Sequence, residues 1–412
     1  MKNKFIKYLT FILIILFSIF AGYENPKLVE VPKKYYYFFL KKIGLSDRFV
    51  NIDKKEDNIQ SKKKSEEYFA NSFSLNLEKV KSYEGKTASI FLKKQNKEVK
   101  YEIFTRKGLR LTNDSTSEIN LPLNFYLEQD GGVKSVFQIK GQKFALISQK
   151  QLSCIYASIF NISYSKEIIK SKCIPDKKLI NFGGLGGAYV FDNDSLILSI
   201  GVPTHLSEEI DNLSQDNDSI FGKLIKIKKN DILEENVKYS FFSTGHRNPQ
   251  GLVKFEDTIF SLEHGPQGGD ELNEIKAGNN YGWPIASLGT RYNNGRSFSR
   301  SHKKLNFIEP IYSFLPAVAP SSLNKCPKNL SLHYENFTCL MGLSLKEMSL
   351  IIFLLKKDPY RIFSIEKIRL DKRLRHFGLN YAGKIFNDDD GYFYFSSDTD
   401  GLYKAKFSKF RK

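Results

Sequence analysis

From about residue 68 onward the chain alternates between short apolar-rich runs and clusters of Gly, Asn, Asp or Ser. Residues 88–92, 143–147, 195–200 and 391–395 are examples, each five or six positions long. Alternation at period two between turn residues predicts short β-strands. A local theme recurs, an acidic turn ahead of an alternating strand. It is seen at Asp192-Asn193-Asp194 before Ser195, at Glu256-Asp257 before Thr258, and at Asp388-Asp389-Asp390-Gly391 before Tyr392. Hairpins repeated along so long a chain predict radial blades or a sandwich. Residues 341–357 are apolar almost throughout and suit either a helix or two buried strands turning at Lys346-Glu347. The β surroundings favour the strands.

The first residues follow a different pattern. Lys2, Lys4 and Lys7 precede an apolar run from Tyr8 to Tyr23. A basic segment followed by an apolar one is the layout of an export signal. No small-residue cleavage site and no lipid-accepting Cys follows the run. The expectation is therefore an uncleaved signal anchor over residues 1–23, in preference to a cleaved signal peptide. It would place the body on the periplasmic side of the inner membrane with the lysines left inside. Residues 24–67 read as a basic linker, with Pro26, Pro32 and a polar stretch from Asp53 to Glu67. The β domain then occupies residues 68–412.

Composition refines this picture in two places. The formal net charge is +18, but Lys is spread along nearly the whole chain of 412 residues. A nucleic-acid surface gathers its cations on one face with aromatics between them, so no nucleic-acid partner is expected. Lys-rich patches near the apolar N-terminus suit contact with anionic lipid, or simply a solvated linker. The four cysteines fall into two local pairs, Cys154 with Cys173 and Cys326 with Cys339, and no C-x-x-C occurs. In an oxidising compartment two disulfides are the simplest pairing; four buried free thiols are the alternative.

The chemistry concentrates in residues 245–284. The segment reads GHRNPQGL, then EHGPQGGDELN, then GNNYGWP. Loops so rich in Gly and Pro expose backbone carbonyls, and carbonyls with carboxylates are the ligands a hard cation takes. Gly265 and Pro266 offer carbonyls, and Asp270 and Glu271 offer carboxylates in the same loop. Arg247 and Asn248 stand beside Pro249, which fixes their turn, and an Arg fork suits a planar carboxylate. Read as packing alone, the same block is a Gly-rich loop around the chain's single Trp.

These three ordered motifs resemble the soluble aldose sugar dehydrogenases, the glucose/sorbosone dehydrogenase family. Weaker resemblance runs from about residue 100 to 405. The turn at Gln129-Asp130-Gly131-Gly132, the Asn181-Phe182-Gly183-Gly184 turn and the Asp390-Gly391-Tyr392-Phe393-Tyr394 hairpin carry it. The resemblance implies an all-β six-bladed propeller that binds PQQ and Ca²⁺ near its axis. It implies hydride transfer from an aldose to the quinone, with electrons passed to an external acceptor. Carried over, Gly265 and Pro266 fall on carbonyl ligands of a cofactor-side calcium, and Asp270, Glu271 and Tyr281 on a second calcium. Gln129, Arg247, Asn248 and Lys346 fall on positions that face the cofactor. Two positions depart. Asn181 stands where the family has its base His, and Asn takes no proton at neutral pH. Tyr381 and Gly383 stand where it has two cofactor-gripping arginines, while Arg373 and Arg375 lie upstream at the right mutual spacing. The departures leave three readings: a slowed enzyme, a non-catalytic, calcium-stabilised binding propeller, and a structural module in which residues 245–284 only stabilise the fold.

Overall fold

Each sheet of the computed structural model is an antiparallel meander, and six of them succeed one another along the chain. The structure describes residues 65–176, 181–203, 207–299 and 301–410. The expected anchor and all but the end of the linker therefore lie outside the described residues. Among the described residues no helix is long and apolar enough to cross a membrane.

The chain opens with β1 (Glu66–Phe69) and β2 (Ser74–Lys81). Blade one follows as β3 (Thr87–Gln95), β4 (Glu98–Thr105), β5 (Leu109–Thr112) and β6 (Thr116–Glu118). Blade two is β7 (Val133–Ile139), β8 (Gln142–Gln151), β9 (Cys154–Asn161) and β10 (Lys166–Lys170), with β11 (Ile174–Pro175) also paired to β9. Blade three is β12 (Gly186–Asp192), β13 (Ser195–Ile200), β14 (Lys223–Lys228) and β15 (Tyr239–Thr244). Blade four is β16 (Pro249–Phe255), β17 (Thr258–Glu263), β18 (Asp270–Ile275) and β19 (Tyr312–Phe314). Blade five is β20 (Pro320–Lys325), β21 (Thr338–Ser344), β22 (Ser349–Lys356) and β23 (Arg361–Arg369). Blade six takes β24 (Leu374–Phe377), β25 (Phe393–Ser397) and β26 (Gly401–Ser408) from the end of the chain and completes its sheet with β2 and β1 from the start. The expected six-bladed propeller is thus observed, and its first strand begins at Glu66, two positions ahead of the expected boundary.

Six apolar clusters hold the blades together, one in each gap. Phe137, Leu146 and Ile159 of blade two meet Tyr189, Leu198 and Ile225 of blade three. Met341, Leu343 and Ile352 of blade five meet Phe377, Phe393 and Phe407 of blade six. A blade between two neighbours buries both faces, so its strands lose the alternation of a half-exposed sheet. This explains the apolar stretch at 341–357. Leu340 and Ile351 turn toward blade four while their sequence neighbours Met341 and Ile352 turn toward blade six. The segment forms β21 and β22 as expected, paired through Met341 and Ile352 around a turn at Lys346-Glu347. Each fully buried Phe or Leu there contributes about 1.5–3 kcal/mol relative to exposure.

Both cysteine pairs are bonded as expected, Cys154–Cys173 and Cys326–Cys339. The recurring acidic turns join the first and second strands of blades three, four and six. In four-strand meanders the starts of the inner strands and the turns between second and third strands share one face, here called upper. The acidic turns lie on the lower face. Residues 378–388 close the lower mouth. Leu379 pairs with the inner strand of blade one, Leu92 N donating to Leu379 O at 2.8 Å. Tyr381 stacks on Phe91 with ring centroids 5.0 Å apart.

Candidate active site at the upper mouth of the axis

The segment 245–284 wraps the upper end of blade four. Gly245 has φ +73° and an added Cβ would lie 2.0 Å from Asn280 Oδ1, so only Gly lets the GHRNPQGL and NYGWP motifs touch. Tyr281 N donates to Thr244 O at 2.9 Å and Trp283 N to Gly245 O at 2.9 Å, locking the two loops. His246 sits between them, fully buried. Its Nε2 lies 2.8 Å from Ser243 Oγ, its Nδ1 3.2 Å from Glu263 Oε1, and its ring stacks on Tyr281 at 4.6 Å.

The acidic residues behave in two ways. Asp270 is saturated by backbone donors. Its Oδ1 accepts from Gly265 N at 3.0 Å, and its Oδ2 from Val318 N at 2.7 Å and Ala319 N at 2.8 Å. These bonds tie the calcium-type loop to the start of blade five. Glu271 is the opposite case. It is half-buried and receives one long bond, from Asn273 Nδ2 at 3.3 Å. Burial, reinforced by the neighbouring Glu263, pushes its carboxyl up to about 8. Glu263 is held below the usual carboxylate range. Burial opposes this, and His246, Ser261 and Asn273 outweigh it. Both glutamates line a small gap with Gly245, Arg247, His264, Gly265, Tyr281 and Ser287. Tyr281 lines it with its ring, because its hydroxyl is engaged elsewhere, donating to Glu274 O at 2.7 Å and accepting from Lys276 N at 2.8 Å. Glu271, sparsely donated and close to Glu263 and Gly265, offers a carboxylate of the kind a divalent cation takes. Pro266 lies apart, in the wall of a neighbouring cleft that Arg247 shares.

Arg247 is half-buried, its guanidinium 5.3 Å above the Trp283 ring, with Nη1 donating to His264 O at 3.4 Å. Asn248 is buried and turned inward, where its Oδ1 accepts from Gly186 N at 3.1 Å and from Gln250 Nε2 at 2.7 Å. Gln129, at φ +52°, takes Phe182 N on its carbonyl at 2.8 Å and reaches Asp176 Oδ1 with its amide at 3.4 Å. Lys346 is exposed at the turn between β21 and β22, on the upper face.

Asn181 caps a one-turn helix, Phe182–Gly184, its Oδ1 accepting from Gly183 N at 2.6 Å. Its Nδ2 donates to Asp130 Oδ2 at 2.9 Å. Asp130 is the hub of a cationic knot. Lys86 Nζ lies 2.6 Å from its Oδ1 and Arg106 Nη1 3.6 Å, while Lys134 Nζ donates to its carbonyl. Burial works against the Asp130 charge, yet the bonds from Lys86 and Asn181 and the nearby cations hold its pKa well below the usual range. Lys134 is buried, and burial first, then Arg106, drives its ammonium well below the lysine range. Burial and the Arg375 charge lower Arg106 to about 10.

The arginine question is resolved by the strands. Arg375 stands near the start of β24, at the upper end of blade six, buried and bonded to Asp398 through Nε at 3.0 and 3.1 Å as well as through Nη2. Arg373 is exposed. Tyr381 and Gly383, matched to the arginine positions without a gap, belong to the lower plug, Tyr381 donating to Glu102 Oε2 at 3.0 Å. The connection from β24 to β25 is long, which displaces an ungapped match to the wrong end of the axis. Lys134 and Arg106 escaped sequence reasoning altogether. Their only signal is position, since Lys134 lies in an inner strand directly after the Gln129–Gly132 turn.

The upper mouth thus joins a cationic side, Lys86, Arg106, Lys134 and Arg375 against Asp130 and Asp398, to an acidic side at Glu263 and Glu271. Four cations against two carboxylates fit an added polycarboxylate. A family model described as glucose/sorbosone dehydrogenase matches residues 165–404. An aldose sugar dehydrogenase of Escherichia coli is 33% identical over 126 residues, 28% of this chain and 33% of that protein. An uncharacterized protein of Synechocystis is 32% identical over 146 residues, 32% of this chain and 35% of its own. Each match spans about a third of the relative's length. Among solved structures, the apo soluble aldose sugar dehydrogenase of E. coli superposes with a TM-score of 0.62 at 19% identity, covering 81% of this chain and 99% of that one. The PQQ-bound aldose sugar dehydrogenase of Streptomyces coelicolor gives 0.54 at 18% identity, over 81% and 98%. These two likenesses establish the propeller fold.

Proposed function

The chain belongs to the glucose/sorbosone dehydrogenase family, and on that premise we propose that it oxidises an aldose sugar with PQQ and calcium at the upper mouth, slowly for want of its base. The observation that carries this reading is a cation cluster at the upper ends of blades one, two and six together with a glutamate pair at the upper end of blade four. A tricarboxylate quinone and a divalent cation satisfy both.

Within this reading Arg106, Lys134 and Arg375 hold cofactor carboxylates, with Arg247, Gln129 and the upper-face Lys346 around them. Asn248 stiffens the loop that carries Arg247. Glu271 and the Gly265 carbonyl hold calcium on the acidic side. The bound quinone supplies an electrophilic carbonyl for hydride transfer. The sugar hydroxyl must lose its proton as the hydride leaves, and Asn181 provides no acceptor for it. Loss of a general base costs about 10²–10⁴-fold in rate. Periplasmic placement and an external electron acceptor complete the proposal.

The test is reconstitution. Purified protein given Ca²⁺ and PQQ should reduce a dye when an aldose is added. PQQ binding without turnover would instead favour a non-catalytic binding propeller. No PQQ binding by absorbance titration, with calcium-dependent thermal stabilisation retained, would overturn the redox reading.

A further inference from the structure

A second opening lies where the connection after β13 faces residues of the three motifs, Arg247, Pro266 and Trp283 among them. An open cleft is lined by Glu208 and Asp211 together with Arg247, Arg291 and Trp283. Tyr292 and Phe298 supply further ring surface. Glu208 and Asp211 belong to the short helix α1 (Glu208–Asp211), in the connection between β13 and β14. Arg291 and Tyr292 come from the loop after the NYGWP motif, Trp283 from that motif and Arg247 from GHRNPQGL.

Its polar groups are arranged in complementary pairs. Arg291 Nη1 lies 2.9 Å from Glu208 Oε1 and its guanidinium 4.5 Å over the Phe298 ring. Arg247 is stacked between Trp283 at 5.3 Å and Tyr292 at 5.9 Å. Asp211 faces Arg247 and Arg291 electrostatically, yet its carboxylate takes no hydrogen bond from the described residues. Burial lifts that carboxyl to about 7 against the pull of the two arginines. Trp283 is 6% exposed, and its indole N–H, itself covered, has no acceptor among the described residues. Such a buried, unmatched donor costs free energy unless a ligand or water meets it.

A surface that alternates acceptors and donors between aromatic faces suits a ligand whose polar groups do both and whose ring has apolar faces. A sugar hydroxyl donates and accepts, and a pyranose presents C–H faces to aromatic rings. The acids offset the adjacent arginines, which disfavours a strongly charged ligand. We propose that this cleft is the recognition site for an uncharged aldose, with Asp211 and Glu208 accepting from its hydroxyls, Arg247 donating, and Tyr292 stacking on the ring. The inference rests on the sugar-oxidising reading above and names the residues that select the sugar.

Trp283 is the chain's one tryptophan, so its fluorescence reports cleft occupancy without turnover. The experiment titrates the full chain, with and without bound PQQ and calcium, using an aldohexose, the matching hexuronate and an acyclic polyol. The aldohexose should give a saturable response. Asp211→Asn and Tyr292→Ala should each weaken it roughly 10- to 100-fold, the range for losing one hydrogen bond to a charged group or one stacked ring. Near-native unfolding temperatures would show that both variants fold. No saturable response in either form would overturn the inference, as would tighter hexuronate binding, or unchanged affinity in both variants. Loss of the sugar response on saturation with PQQ would also overturn it, by giving the cleft to the cofactor. Failure of the redox reading is separable, because it appears as absent PQQ binding or dye reduction while the sugar response persists.

Discussion

The two sides of the upper mouth carry opposite unmet charge. On the side of blades one, two and six, Lys134 and Arg106 are buried among cations with only Asp130 and Asp398 to answer them. On the side of blade four, half-buried Glu271 lies against buried Glu263, and His246, Ser261 and Asn273 answer chiefly the latter. Each side is costly alone, since a buried charge without a partner shifts its protonation or destabilises the fold. The lesson of the contrast is that this mouth is incomplete as polypeptide. One side asks for an anion and the other for a cation.

The sharpest way to break the contrast is on the cationic side. Arg375→Ala leaves Asp398 buried without its fork, where both side chains are 6% exposed. Breaking such a pair costs roughly 3–5 kcal/mol, and a urea unfolding midpoint should fall accordingly. Next, Asn181→His should raise dye-linked kcat about 100-fold, within the range for a general base. An unchanged kcat in a variant that still binds PQQ would show that more than the base is missing.

On the acidic side the prediction concerns pH. The Glu271 carboxyl is raised to about 8 in the fold, from an ordinary value near 4.5. The folded state therefore binds a proton that the unfolded chain releases. This stabilisation is complete below about pH 4.5 and is lost as pH climbs toward 8. Metal-free protein should melt at progressively lower temperature across that interval. Calcium at a hundredfold excess over its Kd should restore about 2.7 kcal/mol, and Glu271→Gln should abolish both the slope and the rescue. The smallest effect belongs to the rim. Lys86 and Asp130 side chains are 45% and 38% exposed, so Lys86→Ala should change stability by less than about 1 kcal/mol in a thermal melt.

The same contrast separates what the chain reveals from what it conceals. Blade strands, the bonded cysteine pairs and the loop between Gly245 and Trp283 are local, and their spacing speaks directly. The 341–357 stretch reads correctly only once both faces of a blade are known to be covered. Asp270 and Glu271 are adjacent and chemically alike, but β18 turns them to opposite faces, one onto backbone N–H groups and the other into a small gap. Nothing in their spacing separates a tie from a ligand until the neighbouring strands are in place. Lys134, Arg106 and Asp211 gain significance only where separate connections meet, and Tyr381 shows how a long connection carries a matched position to the far end of the axis.

The manner in which blade six is shared has a consequence for how the molecule comes into being. Its outer strands β2 and β1 are made first and its inner strands β24, β25 and β26 last. The ring therefore stays open until nearly the whole chain has emerged, with β2 waiting as an unpaired edge of the kind that invites mispairing. Leu77 cannot meet Ala405 before then. A chain threaded across a membrane would finish its ring only on the far side, and its two ends would leave from the same blade.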